Sequence, residues 1–122
     1  MIKFLAVGMG GFIGANLRYG LSLWLAHPNG FPWATLTANM LGCFGLALFA
    51  SGVADHVSAN IRLIVATGFF GALTTFSTFN LEAITLYESG KVNTAALYVV
   101  ASVILGWVAG AFGLAIGRGL TT

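Results

Sequence analysis

The chain has 122 residues, 58% of them hydrophobic and only 7% charged, with a formal net charge of +2. Ordinary soluble domains carry about 25% charged residues. Eight charged side chains, Lys3, Arg18, Asp55, Arg62, Glu82, Glu88, Lys91 and Arg118, cannot form the polar shell that a small soluble fold requires. The apolar surface must face lipid, and the positive charge is too small and too scattered to suggest nucleic-acid binding. A single cysteine, Cys43, excludes an intramolecular disulfide and a cysteine-based metal cluster.

In chain order, charges and turn residues divide the sequence into four apolar stretches, each near the roughly 20 residues needed to span a bilayer. These stretches predict one all-α integral membrane domain over residues 1–122, with helices at about 4–26, 32–53, 60–87 and 94–117. The first contains Asn16 and Arg18 and ends at the turn signal His27-Pro28-Asn29-Gly30. Arg18 interrupts the run and no Ala-x-Ala site follows, so this helix is expected to be retained rather than cleaved as a leader. The second stretch carries no charge and opens with Pro32, suited to a first helical turn. Ala54 to Ser58 forms the next loop, with Ser58 placed to cap the third helix. The loop Glu88-Ser89-Gly90-Lys91 precedes the fourth helix, which Arg118 closes. His27 and His56 fall in loops, and Trp24, Trp33 and Trp107 read as interfacial or packing aromatics.

Four crossings place Lys3, Arg62 and Arg118 on one side, with Arg18 and Lys91 toward the other. Three against two is almost no positive-inside bias. Either an unseen factor resolves the orientation, or the chain inserts both ways and forms an antiparallel homodimer. The pairs Gly10/Gly14, Gly106/Gly110 and Gly113/Gly117 each lie on one helix face and allow close backbone approach. Some of these faces are expected to meet a second subunit.

The most informative segment runs from Gly68 to Glu82 in the third helix. Where a spanning helix should be most apolar it has glycines, threonines, Ser77, Asn80 and Glu82. Glycine and threonine are poor helix formers, and hydroxyls compete for main-chain hydrogen bonds. A mid-membrane break near Gly71–Thr75 is expected, and main chain freed there must find partners in protein or water. Released carbonyls suit a cation, and a new helix N-terminus suits an anion. Phe76 and Phe79 share a face of the helix after the break. Their positive ring edges can face an anion, although such pairs also serve as plain packing. Arg18 and Glu82 are ionisable groups at membrane depth, which marks them for a role on or beside an ion path. Arg18 suits either a vestibule that attracts anions or a snorkelling anchor, and Glu82 suits a hydrogen-bonded supporting role.

Three motifs resemble the Fluc/CrcB family of fluoride channels, and the resemblance extends along the whole chain. They are Gly10 to Tyr19 on the first helix, Thr35 to Gly42 on the second, and Gly71 to Phe79 on the third. Thr74-Thr75-Phe76-Ser77-Thr78-Phe79 is the most specific part. The resemblance implies an antiparallel, dual-topology homodimer with two pores that passively exports fluoride from the cytoplasm across the inner or plasma membrane. It implies Phe76 and Phe79 as fluoride-contacting rings, Asn39 as a pore donor, and Ser77 and Thr78 as hydroxyl donors. Tyr98 and Ser102 would form a polar track on the fourth helix. The main-chain carbonyls of Gly71 and Thr74 would hold a structural Na+ at the dimer centre. Ala72 stands where many members have a second glycine, and Gly106 where some have another hydroxyl. The competing readings are a small proton-coupled multidrug exporter and a non-transporting assembly subunit. Such exporters carry a first-helix glutamate where this chain has Asn16 and Arg18. No nucleophile–base pair is legible, so an enzyme is not expected.

Overall fold

A computed structural model describes residues 1–26 and 30–121. The turn residues His27, Pro28 and Asn29, and the terminal Thr122, lie outside the described residues. The described chain is all helical: α1 Ile2–Trp24, α2 Trp33–Gly52, α3 over residues 59–73, α4 Phe76–Glu88 and α5 Val92–Gly119. A short 3-10 turn, Ala54–His56, joins α2 to α3. Ser58 caps α3, its hydroxyl accepting from the Ile61 amide at 3.4 Å. At the α4–α5 turn Gly90 takes φ +81, a left-handed conformation that glycine adopts without a Cβ penalty. Lys91 N–H then returns to Leu86 O at 2.9 Å, closing the helix end.

Trp33–Gly52, Ala59–Glu88 and Val92–Gly119 are long and apolar enough to cross a membrane. The chain therefore has the character of a multi-pass helical membrane protein. In the most apolar stretch of α5 only 6% of the residues are buried within the chain. Trp107 is 81% exposed, so this apolar surface needs lipid or another protein around it. With 23 residues α1 is long enough to span, but Lys3, Asn16 and Arg18 leave it outside that set of three.

The third helix departs from a plain α-helix twice. Leu63–Phe70 is wound as a π-helix, which the sequence analysis does not foresee. The break itself is narrower than the expected Gly71–Thr75 segment and lies at its C-terminal end. Gly71–Leu73 stays helical, with Gly71 at φ −63 and ψ −34. Thr74 (φ −85, ψ 155) and Thr75 (φ −152, ψ 125) are extended. The glycines therefore do not make the break. Gly68 is instead a packing position: a Cβ there would stand 2.5 Å from Val7 O and 2.9 Å from Gly10 Cα.

Two of the three small-residue pairs, Gly10/Gly14 and Gly113/Gly117, are used inside the chain. A Cβ on Gly10 would collide with Ile64 O, and one on Gly14 with Phe69 O, so α1 and α3 touch main chain to main chain. Gly113 and Gly117 do the same for α5 against Phe44 O and Leu48 O of α2. Gly106 packs more loosely, with Met40 and Cys43 as its nearest neighbours. A small core of Leu36, Ala83, Leu86, Ala95 and Tyr98 then ties α2, α4 and α5 together.

Candidate functional site: the break and its two cavities

An interrupted helix strands main-chain groups on both sides of the gap. On the first side, Phe70 O accepts from the amide of Thr74 at 3.1 Å and from its hydroxyl at 2.9 Å. Ala72 O accepts from Arg18 Nε of α1 at 3.1 Å. A half-buried guanidinium thus sits at the negative C-terminal end of α3, a favourable position for a cation. Among the described residues, no hydrogen bond reaches the main-chain oxygens of Gly71 or Thr74. Two free carbonyls beside an exposed Gly71 are oxygen ligands of the kind a hard cation takes.

Across the gap, Thr75 N–H donates to Asn39 Oδ1 at 2.8 Å, and Asn39 Nδ2 donates back to Thr75 O at 3.1 Å. Thr75 is also the N-cap of α4: its hydroxyl accepts from the Thr78 amide at 3.2 Å and donates to Thr78 Oγ1 at 3.1 Å. Ser77 Oγ lies 3.4 Å from the same hydroxyl.

A groove of about 520 Å³ runs along this junction, and Asn39, Gly71, Thr74, Phe76, Phe79 and Ser102 all reach its wall. The rings of Phe76 and Phe79 stand 5.8 Å apart, and Phe76 is 78% exposed in the single chain. Ser102 Oγ is buried with no hydrogen-bond partner among the described residues. A second cavity, of about 740 Å³, lies toward the other end of α4 and is lined in part by Arg18, Ser22, Thr35, Thr78, Glu82 and Thr85. Its polar anchor is Glu82, which accepts from Thr35 Oγ1 at 2.8 Å and from Tyr98 Oη at 2.7 Å. Hydrogen bonds to a charged acceptor are among the stronger ones, so this pair holds the carboxylate in a fixed orientation.

Not every expected residue joins these cavities. Tyr98 is fully buried, its ring 5.1 Å from Phe79 and its hydroxyl given to Glu82, so it does not line the groove beside Ser102. Ser77 is exposed and lines neither cavity. Sequence reasoning left out Thr75 and Thr35. Thr75 carries a local signal, a threonine three residues before another at the start of a helix. Thr35 meets Glu82 across 47 positions and has no local signal at all.

The family model for the CrcB-like protein, Camphor Resistance (CrcB), matches residues 5–114. The chain belongs to the CrcB-like family. Among its relatives, a fluoride-specific ion channel FluC of Rhizobium leguminosarum bv. trifolii is 44% identical, covering 98% of this chain and 99% of its own. Proteins of the same name from Agrobacterium fabrum and Chloroflexus aurantiacus are 42% and 40% identical. These matches cover 98% and 97% of this chain, and 99% and 97% of the relatives. The CrcB-like match takes in the α1, α2 and α3–α4 motifs together with Tyr98 and Ser102 on α5.

Proposed function

We propose that this CrcB-like chain is a fluoride-selective channel that lets fluoride leave the cytoplasm passively and so limits its toxicity. The observation that carries the reading is the groove at the break. It gathers Phe76, Phe79, Asn39 and Ser102 around a helix N-terminus, in a chain 40–44% identical over nearly its full length to the fluoride-specific relatives above. An anion there meets ring edges and N–H or O–H donors rather than a fixed positive charge. Such a site serves a small anion that accepts strong hydrogen bonds. The larger cavity, with Arg18 on its wall, is the entrance that collects anions. Glu82, held by Thr35 and Tyr98, supports that wall.

In this reading α1 crosses the membrane with the other three spans. Its main chain is locked along α3 by Gly10, Gly14 and Gly68, so it shares the path of α3 through the bilayer. Two copies associate antiparallel in the inner or plasma membrane and form two pores. The exposure of Phe76 in one chain supports a second subunit completing the groove. The free carbonyls of Gly71 and Thr74, one pair per subunit, would hold a structural Na+ on the two-fold axis. Na+ bound there neutralises oxygens that otherwise lack a partner at membrane depth.

The deciding experiment is efflux from liposomes containing the purified protein alone. Rapid fluoride release with chloride retained is expected, and fluoride release no faster than from empty liposomes overturns the reading. Requiring no added partner also separates a channel from an assembly subunit. Imposing a pH gradient should leave the direction of net fluoride flow set by the fluoride gradient, whereas a proton-coupled exporter would be driven by it. The near-even charge split gives a further expectation: tags on either terminus should be found on both membrane faces. A single orientation in the active protein would remove the antiparallel dimer.

A further inference from the structure

We infer that Asn39 is a positioning residue: its amide acts as a surrogate strand that holds Thr75 extended and keeps the break open. The resemblance makes this side chain a donor to the passing anion. The geometry commits both ends of its amide elsewhere. Oδ1 takes the Thr75 N–H at 2.8 Å and Nδ2 gives to Thr75 O at 3.1 Å, a two-point contact that only one orientation of the amide satisfies. Flipping the amide would set NH2 against N–H and oxygen against oxygen. One N–H of Asn39 is left for any other partner.

Among the described residues, Asn39 is the one acceptor for the Thr75 N–H. Thr75 N–H is the amide that would close a helical bond to Gly71 O if α3 continued into α4. Bound to Asn39, it is withheld from Gly71, and the Gly71 oxygen stays free. Arg18 fixes the adjoining Ala72 O from the α1 side, so the break is fastened from both neighbouring helices. Holding Thr75 extended also aims its hydroxyl at the Thr78 amide, which starts α4 with Phe76 in its first turn. Asn39 thereby sets where the rings point and which carbonyls remain open, while standing 36 positions away in sequence. Its own site on α2 is secured by Ala38, which is fully buried, and by Gly42 against Thr74.

The test uses the full-length homodimer in lipid nanodiscs, with Asn39→Leu and Asn39→Asp compared with wild type. Leucine keeps the branching, at larger volume, and loses both hydrogen bonds, and aspartate keeps only the acceptor. The primary readout is amide hydrogen exchange at Thr75; the second is fluoride efflux. The conduction arm rests on the fluoride reading above, but the exchange arm does not. In Asn39→Leu, Thr75 exchange should rise by about tenfold or more while amides in the middle of α5 keep their rates. Fluoride efflux should fall with it. In Asn39→Asp, Thr75 exchange should rise less than in Asn39→Leu, because the acceptor is kept while the second oxygen now faces Thr75 O. Lost efflux in Asn39→Leu with unchanged Thr75 exchange would overturn the inference and return Asn39 to direct anion contact. Wild-type efflux and wild-type exchange in Asn39→Leu would also overturn it, reducing Asn39 to packing. If Asn39→Leu fails to fold, Asn39→Ala takes its place: Thr75 exchange at the wild-type rate there overturns the inference. A wild-type protein without fluoride efflux would instead defeat the fluoride reading while leaving the exchange result to stand.

Discussion

Phe76→Ile and Phe79→Ile should each reduce fluoride efflux by roughly tenfold or more, with the proposed dimer still folded. Quadrupole contacts between aromatic pairs contribute about 0.5–1.5 kcal/mol beyond area burial, the scale taken for a ring edge on an anion, and each 1.36 kcal/mol is a factor of ten in rate. Isoleucine offers similar bulk but no positive edge. The two positions differ in what else they do. Phe76 is 78% exposed in the single chain, so its replacement should change the stability of the isolated fold by no more than about 0.5 kcal/mol. Phe79 also packs on Tyr98 at 5.1 Å, and its loss should carry an additional stability cost. Efflux assays on reconstituted variants, paired with size-exclusion profiles of the dimer, separate the two effects. Wild-type efflux in both variants would reduce these rings to packing.

The second large effect concerns Gly71, with Gly10 as its contrast. Gly71 has ordinary helical dihedrals, and a Cβ built on it would find nothing nearer than Ala66 O at 3.9 Å. Valine there fits the single subunit, and its helix propensity is no worse than that of glycine. The subunit fold should therefore change by only about 0.5 kcal/mol, as for an exposed substitution. In the proposed dimer the same position faces the two-fold axis, where two valines would crowd the Na+ ligands. Gly71→Val should leave helical monomers that dimerise poorly, with efflux lost and no gain from added Na+. Gly10→Val should do the reverse. Its side chain would strike Ile64 O, main chain that cannot step aside, and should destabilise the subunit itself by about 3 kcal/mol. Removing Na+ from the wild type should weaken the dimer without altering selectivity for fluoride over chloride, because an ion that binds only the assembled state stabilises only that state. Normal dimers and normal efflux in Gly71→Val would place Gly71 away from the axis.

How much was legible in the residues varies from element to element. The membrane class follows from composition, since eight charges in 122 residues leave too little polar surface for water. The break was legible as a region, because hydroxyl-rich sequence at membrane depth conflicts with an uninterrupted helix. The extended residues, Thr74 and Thr75, fall inside the expected Gly71–Thr75 segment, but the side chain of α2 that holds Thr75 was not legible. The glycine pairs announced close packing but not against what. A stripe of small residues states how near a helix can come, not which helix arrives.

By itself the sequence determined the solvent of this protein, the segmentation into helices and the polar interruption of the third, because each depends on local composition and spacing. The motif order along the chain also carried its family. Only the tertiary structure decided which groups meet: Asn39 with Thr75, Arg18 with Ala72 O, Thr35 and Tyr98 with Glu82, and Ser102 in the same groove as the two rings. Apart from Tyr98 with Glu82, 16 positions apart, the hydrogen-bonded partners stand 36 to 54 positions apart. Local patterns cannot encode contacts that form only once helices pack at a defined rotation and depth. That rotation is set here by main-chain contact at Gly10, Gly14 and Gly68, where a single added carbon would push α1 away from α3 and draw Arg18 off the break.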